Sequence, residues 1–569
     1  MSSWPGEVAE ELEPVDWGKV RREPFKRCFL READAAPDKV ACMAELATVV
    51  QRQELQIEIE DNAGKTMPGP LTSFQELGDI LPSYVLQNLE SNNWTTPMPI
   101  QAQALPLVLS GLNVIGLAQT GSGKTLAFLL PAIVQIEAQT HLGRYDATPI
   151  ALVLAPTREL AVQIHDQATM VLRGSRQGSN HRGGVWSACL YGGQSKHVQL
   201  KTVYGSQIVV ATPGRLTDLM QSRQIYLNRV TYFALDEADR MLDLGFQDAV
   251  ASISTQIRPE RQVLFFSATW QQHVQVLAAG LCEDAPVRIA VGQKRACADE
   301  DGNLSALQAR AGITQEVVVL DYPPEEWQQQ LQEKSSRLEE HLRVVLDDPD
   351  NKVLVFVSQK DYADDLVNKL WDDGFKEVAA MHGGKSQESR LNALERFRQG
   401  ATRLLVATDV LGRGIDIPSV SHVVIFEMGT VEDYIHRIGR TARGKDAKGH
   451  ALVFFEYYWK MPEIASQLLT VLEVSEQAVP NELRRIVREV EEGRRKGAKP
   501  TRSWDKGGYQ EDRGRDERWN RRRDYQREEE WSGNRNFDEQ RKGTQQADDS
   551  QQAGAPVVAV GGDNTGWDW

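Results

Sequence analysis

Short apolar runs recur along this chain, and each gives way to a stretch whose apolar residues fall at helical spacing. Val114–Leu117, Ile150–Leu154, Gln207–Val210, Val230–Leu235 and Val263–Phe266 are nearly continuous in apolar character rather than alternating. A strand that is apolar at successive positions is buried on both faces, the mark of a parallel sheet covered by helices on either side. Residues 71–292 are therefore expected to form an α/β domain. A polar stretch, Gln293 to Gly312, interrupts the pattern, which resumes at Lys352–Val357, Arg403–Ala407, Val423–Phe426 and His450–Phe455. A linker over 293–313 and a second α/β domain over 314–489 follow from that break.

The flanks carry no such pattern. Residues 1–70 mix charges without sustained periodicity, and Gly64 to Pro70 reads as linker, so a partly disordered N-terminal extension is expected. Beyond residue 490, arginines such as Arg521, Arg522 and Arg523 mingle with carboxylates, glycines and the aromatics Trp504, Tyr509, Trp519, Tyr525, Trp531 and Phe537. Such a segment cannot bury a core, and 490–569 is expected to be a disordered, Arg-rich tail. No run of about 18 apolar residues occurs, which argues against a membrane span. Cys28, Cys42, Cys189, Cys282 and Cys297 have no paired spacing and are expected to be free thiols. The formal net charge of −15 would argue against a nucleic-acid ligand if binding used the whole surface rather than a local cleft.

Chemistry enters with Ala118-Gln119-Thr120-Gly121-Ser122-Gly123-Lys124-Thr125, placed between a candidate strand and a candidate helix. Gly121 and Gly123 let backbone N–H groups close around a polyphosphate, Lys124 supplies a point charge, and the Thr125 hydroxyl can join the shell of Mg²⁺. The segment is expected to bind a nucleoside triphosphate. Asp236-Glu237-Ala238-Asp239 ends a later apolar run, placing its carboxylates at the carboxyl edge of the sheet. There Asp236 would hold Mg²⁺, largely through water, while Glu237 polarises the attacking water. An acidic helix start drawn to the macrodipole is the plainer reading. The upstream Lys124 loop favours the metal site.

An ordered series of motifs accompanies these two: Thr96-Pro-Met-Pro-Ile-Gln101, Pro156-Thr157-Arg158-Glu-Leu160, Gly192-Gly193, Thr212-Pro-Gly214-Arg215, Ser267-Ala268-Thr269, Gln387-Glu-Ser-Arg390, Ala407-Thr408-Asp409, Arg413-Gly414-Ile-Asp416 and His436-Arg-Ile-Gly-Arg440-Thr-Ala-Arg443. Over residues 71 to 485 the chain resembles the DEAD-box ATP-dependent RNA helicases of superfamily 2. The resemblance implies two RecA-like parallel-sheet domains in tandem, with ATP and Mg²⁺ as cofactors. It implies that Gln101 reads the adenine edge, that residues 118–125 with Gly414 and Asp416 bind the rest of ATP, and that Lys124, Asp236 and Glu237 act in catalysis. Arg440 and Arg443 would serve as arginine fingers that reach the γ-phosphate on domain closure. Arg437 reads better as an exposed helix face. Phe74 is either the aromatic that stacks on adenine or a core residue. Ser267, Ala268 and Thr269 would couple the nucleotide to strand separation.

Pro156, Thr157, Arg158, Gly193, Thr212, Gly214, Arg215, Arg390 and Thr408 match the family's RNA contacts, which hold phosphates and sugars across both domains on the face opposite the nucleotide cleft. Binding would be largely independent of base sequence. The expected partners are RNA, as single strand or short duplex, and proteins of ribonucleoprotein particles, with a monomeric core, no membrane, and a nuclear or nucleolar location ahead of a cytoplasmic one. An RNA clamp with little unwinding and a DNA helicase are the rival functions. The sequence departs from the family at Ala442 (commonly glycine), at Leu411-Gly412, at Gln359 (commonly threonine) and over Phe426-Glu427-Met428. The tail either contacts RNA through arginines such as Arg494 and Arg495 or acts as a charge-balanced spacer.

Overall fold

The computed structural model describes residues 12, 15–30, 48, 51–60, 67–118, 121–282, 284–291, 312–408, 420–442 and 448–495. The first sheet holds β1 (Ile57–Glu60), β2 (Val114–Leu117), β3 (Ala151–Leu154), β4 (Ser187–Leu190), β5 (Ile208–Ala211), β6 (Tyr232–Leu235), β7 (Gln262–Ser267) and β8 (Val287–Val291). Their order across the sheet is β1-β8-β2-β7-β6-β3-β5-β4. The second sheet holds β9 (Ile313–Leu320), β10 (Val353–Phe356), β11 (Val378–Met381), β12 (Leu404–Ala407), β13 (His422–Ile425) and β14 (Gly449–Glu456), ordered β11-β12-β10-β13-β14-β9. Every pairing is parallel except β1 with β8.

The continuous apolar runs do what their pattern predicts. Successive side chains point to opposite faces, so Val114, Leu264 and Phe266 join one core cluster while Ile115 and Phe265 join another. In the second sheet Leu354 and Phe356 face one layer, Val353 and Val355 the other. Each fully buried Leu, Ile or Phe contributes about 1.5–3 kcal/mol. The helix Lys124–Glu137 is enclosed almost all round, with Leu129, Leu130 and Ile133 fully buried, because it lies under the sheet directly after the phosphate loop. Gly116 keeps β2 flush against the neighbouring strand: a Cβ there would lie 2.5 Å from the Phe266 ring.

The described residues add detail at both flanks. The N-terminal extension adds to the first domain: β1 pairs antiparallel with β8, Ile57 opposite Val291. Upstream of it, the Phe29 N–H donates to the Leu109 carbonyl at 2.7 Å and Arg27 Nη2 donates to Asn113 Oδ1 at 3.1 Å. The Ile57-Glu58-Ile59-Glu60 alternation is the signal that the charge-rich surroundings masked. At the other end, Arg494 and Arg495 are not tail. Arg495 donates to Asp321 through both Nη atoms, at 2.9 and 2.7 Å, and to Glu489 at 2.7 Å, while its guanidinium lies over the Tyr457 ring. Two carboxylates and a ring hold this arginine against the second domain. The tail from residue 496 onward and the linker residues 293–311 lie outside the described residues. Cys28, Cys189 and Cys282 are free thiols, as expected, while Cys42 and Cys297 are not described. Among the described residues no helix is long and apolar enough to cross a membrane.

Candidate nucleotide site and coupling network

The phosphate loop leaves β2 and enters the helix at Lys124 with Gly121 at φ +77° and Gly123 at φ +88°. A side chain is strained in that region, and a Cβ on Gly123 would also meet Gln101 Nε2 at 2.5 Å. Gln101 is buried. Its Oε1 accepts from the Met98 N–H at 2.9 Å and its Nε2 donates to the Gly123 carbonyl at 2.8 Å. One amide thus ties the Thr96–Gln101 segment to the loop, and the remaining lone pair and N–H stay available to an adenine edge. Gln119 and Thr120 lie outside the described residues.

Phe74 opens a short turn upstream of this segment. Ser73 and Glu76 form a capping box that folds Phe74–Leu77 into a single 3-10 turn, and the ring is 3% exposed within the first domain's core.

Lys124, Asp236 and Glu237 converge although their loops follow different strands. Lys124 is buried, with Nζ 3.1 Å from the Ala118 carbonyl and 4.0 Å from Asp236 Oδ1. Asp236 and Glu237 are each 3% exposed. Burial raises the pKa of Asp236 against the opposing pull of Lys124, and burial pushes Glu237 up to about 7. Glu237 Oε2 is buried with no hydrogen-bond partner. Its backbone takes φ +53°, ψ +54°, a left-handed conformation uncommon for a glutamate. Three buried carboxylates, Asp236, Glu237 and Asp239, stand against the two cations Lys124 and Arg440, which leaves room for a further cation, and the carboxylate and hydroxyl oxygens of Asp236 and Thr125 suit Mg²⁺. The residues present fit the ion.

Asp239, which the sequence reading quoted but gave no role, is the junction of the site. Its Oδ2 accepts from the backbone N–H groups of Ala268 and Thr269, both at 3.2 Å, and from the Thr269 hydroxyl at 3.3 Å. The same oxygen lies 3.9 Å from His436 Nε2 in the second domain. The His436 carbonyl in turn accepts from Arg440 Nε at 3.1 Å, and Arg440 is fully buried, its charge felt at Glu237. Ser267 Oγ is buried without a partner. A chain of contacts therefore runs from the carboxylates of the first domain to an arginine of the second. Arg443, Gly414 and Asp416 lie outside the described residues.

The expectation of an exposed Arg437 is corrected. It is 1% exposed, donates to the Glu427 carbonyl at 2.7 Å, and lies over the Phe356 ring. Glu427, within the departure Phe426-Glu427-Met428, accepts the Ser358 N–H on its carboxylate at 2.6 Å. The atypical segment thus splices two motifs together. Gln359 is the N-cap of Lys360–Asp372 without a side-chain cap bond, one that a threonine hydroxyl is able to supply.

Sheet order separates the two groups of expected contacts. The nucleotide residues follow β2, β6 and β7, whereas Pro156, Thr157 and Arg158 follow β3, Gly193 follows β4, and Thr212, Gly214 and Arg215 follow β5. Both groups sit at carboxyl ends of strands, in adjacent halves of one edge. Gly193, at φ +89°, has Arg158 against it: a Cβ would lie 2.5 Å from Arg158 Nη1. Arg215 is held by Gln199 Oε1 at 2.7 Å and the Gln194 carbonyl at 3.1 Å. In the second domain Thr408 follows β12, and Arg390 lies in the helix Gln387–Arg398. Arg390 forms a buried ion pair with Glu159 of the first domain, whose Oε1 also accepts from Gln387 Nε2 at 3.1 Å. Glu159 was passed over in the sequence, although it sits inside the Pro156–Leu160 motif.

Comparison with known proteins agrees with this geometry. Residues 98–277 match the DEAD/DEAH box helicase family and residues 333–445 the helicase conserved C-terminal domain. The chain is 40% identical over 481 residues to the ATP-dependent RNA helicase DBP2 of Candida albicans, covering 84% of this chain and 78% of that one. It is 40% identical to DEAD-box ATP-dependent RNA helicase 30 of Arabidopsis thaliana, over 79% of this chain and 69% of that one. The structure of S. cerevisiae Dbp5 bound to RNA and ADP BeF3 superposes with a TM-score of 0.57 at 27% identity, covering 73% of this chain and all of that one. With two RecA-like sheets, the phosphate loop and the Asp236–Asp239 junction in place, the chain belongs to the DEAD-box family of ATP-dependent RNA helicases.

Proposed function

We propose that this protein binds ATP with Mg²⁺ in the first domain, grips RNA along the adjacent half of the same edge, and separates short duplexes or remodels ribonucleoprotein particles as the two domains close. The observation that carries the reading is the Asp239 junction: one carboxylate oxygen serves Ala268 and Thr269 and faces His436, which holds Arg440. Bound Mg²⁺ would neutralise phosphate charge from Thr125 and Asp236. Lys124 adds a further positive charge, Glu237 orients the attacking water, and Arg440 stabilises charge in the transition state. Because Arg440 belongs to the other domain, hydrolysis waits on closure, and closure is where RNA binding enters. Arg443, Gly414, Asp416, Gln119 and Thr120 complete the proposed ATP set. Pro156, Thr157, Arg158, Gly193, Thr212, Gly214, Arg215, Arg390 and Thr408 form the proposed RNA set, and the proposed location is the nucleus or nucleolus ahead of the cytoplasm.

Displacement of a short RNA strand tests the reading. The protein with ATP should release the strand and Asp239→Ala should not, although the variant still binds ATP. Equal release by both, or equal stimulation of ATPase by DNA and RNA of the same length, would overturn it.

A further inference from the structure

Three imidazoles meet at the amino edge of the second sheet, away from the carboxyl edge that carries Thr408. His422 opens β13 and His450 lies in β14, and the parallel register places them directly opposite one another. Their side chains therefore share one face. His341, from the helix Trp327–Val345, lies over both. The ring centroids form a nearly equilateral triangle of 5.4, 5.5 and 5.3 Å, and one ring nitrogen from each residue lies within 4.8 Å of the others. None of these residues belongs to the nucleotide or RNA sets.

Packing of aromatic rings alone accounts poorly for the cluster, because it leaves His341 Nε2 and His450 Nδ1 buried without a hydrogen-bond partner. The neighbours also set the tautomers. Ser421 Oγ donates to the Lys352 carbonyl at 3.1 Å and accepts the Lys352 N–H at 3.1 Å, so it receives the Nδ1–H of His422, also at 3.1 Å. That leaves His422 Nε2 bare. Glu316 Oε2 stands 3.4 Å from His450 Nε2, a carboxylate–imidazole pairing that favours a proton on Nε2 and a lone pair on Nδ1.

The geometry points to a zinc-type metal site: His341, His422 and His450 ligate one divalent transition-metal ion, with Ser421 and Glu316 orienting two of the rings and water completing the shell. Three neutral imidazoles select such an ion over Mg²⁺, which prefers oxygen ligands and octahedral geometry. A tetrahedral ion about 2.0–2.1 Å from each nitrogen draws the three closer than they stand here, a change that ring rotation on a half-buried cluster can supply. The ion would pin the helix Trp327–Val345 to two strands.

The test uses the full-length protein, stripped with chelator and kept in excess Mg²⁺ so that oxygen-rich sites are occupied. Zinc alone is titrated by equilibrium dialysis, and cobalt is used as an optical probe, because tetrahedral nitrogen ligation absorbs far more strongly in the visible than octahedral oxygen ligation. One equivalent of zinc per chain and an intense cobalt band are expected. His341→Gln and His450→Gln should each weaken zinc binding by about tenfold or more, and Ser421→Ala by about 10- to 100-fold. RNA-stimulated ATPase, which uses none of these residues, reports that each variant is folded; should His450→Gln fail that check, His341→Gln on the helix carries the test. Zinc stoichiometry and affinity unchanged in a folded His341→Gln protein would overturn the proposal, as would no retained zinc in the unmutated chain.

Discussion

Glu237 combines features that rarely coincide in one residue: a left-handed backbone, a buried carboxylate oxygen without a partner, and a pKa near 7 imposed by burial. A strained conformation of this kind costs about 1–3 kcal/mol and persists only where its surroundings enforce it. The Glu237 carboxylate feels the charges of both Lys124 and Arg440, and a value near 7 suits a group that must orient water at neutral pH. Glu237→Gln keeps shape and hydrogen bonding but removes the charge. Its kcat should fall by about 10² or more while ATP and RNA remain bound, as single-turnover hydrolysis beside nucleotide and RNA affinity measurements will check. Ala442 gives a second case of backbone demand. It takes φ +52°, which explains why glycine is common there, and here the buried methyl joins the second domain's core instead.

At the level of elements, the arginine clamp at the end of the helix Asn481–Glu491 makes a direct prediction. Arg495→Ala removes charge-assisted bonds to Asp321 and Glu489 and should destabilise the second domain by about 1–3 kcal/mol in urea unfolding. Acid should act on the first domain. Burial lowers the pKa of His165, with Asp166 opposing, and likewise that of His181, whose Nε2 lies 2.7 Å from the Ile136 carbonyl. Between those depressed values and the ordinary 6.5 the unfolded chain binds protons that the folded chain refuses. Their contribution is therefore fully present above about pH 6.5 and is lost as the pH falls below it. The urea midpoint should drop between about pH 7.5 and 5.5, and His165→Gln should flatten that slope.

The same scale shows what the sequence could disclose. β2, β3, β5, β6 and β7 are buried at every position, so their apolar runs were unbroken and could be read. β4 and β11 are partly exposed edge strands of small or polar residues, Ser187-Ala-Cys-Leu190 and Val378-Ala-Ala-Met381, and gave no run to read. β9 hid behind the linker because Ile313–Leu320 opens with three consecutive polar residues, Thr314-Gln-Glu316, directly after the polar stretch. In the site, the motif residues were legible because loop chemistry fixes residue type. Asp239 and Glu159 were not, since each acts by accepting bonds from groups distant in sequence.

Across the whole molecule, closure depends on a small set of polar contacts: Glu159 with Arg390 and Gln387, Asp239 facing His436, and Arg240 4.0 Å from Asp433. Arg390 is also a proposed RNA contact, so RNA and the domain interface draw on the same charge. Truncation after Arg495 separates tail from clamp. If the remaining tail arginines meet phosphates, RNA affinity should fall and the slope of log K against log salt should flatten by about one for each lost contact. Unchanged slopes in RNA titrations at several salt concentrations would mark the tail as a spacer.

The antiparallel pairing of β1 with β8 gives the N-terminal extension a protective role. Without Ile57–Glu60, β8 would end the first sheet with a row of open N–H and C=O groups, a template on which another chain can add a strand. β1 occupies that row and exposes the carboxylate of Glu58, a charge that discourages a further strand from docking. A chain shortened to begin at residue 67 keeps every nucleotide and RNA motif, yet it should self-associate at concentrations where the full chain stays dispersed, as light scattering would reveal. On this reading Ile57–Glu60 serves less the chemistry than the separation of one molecule from the next.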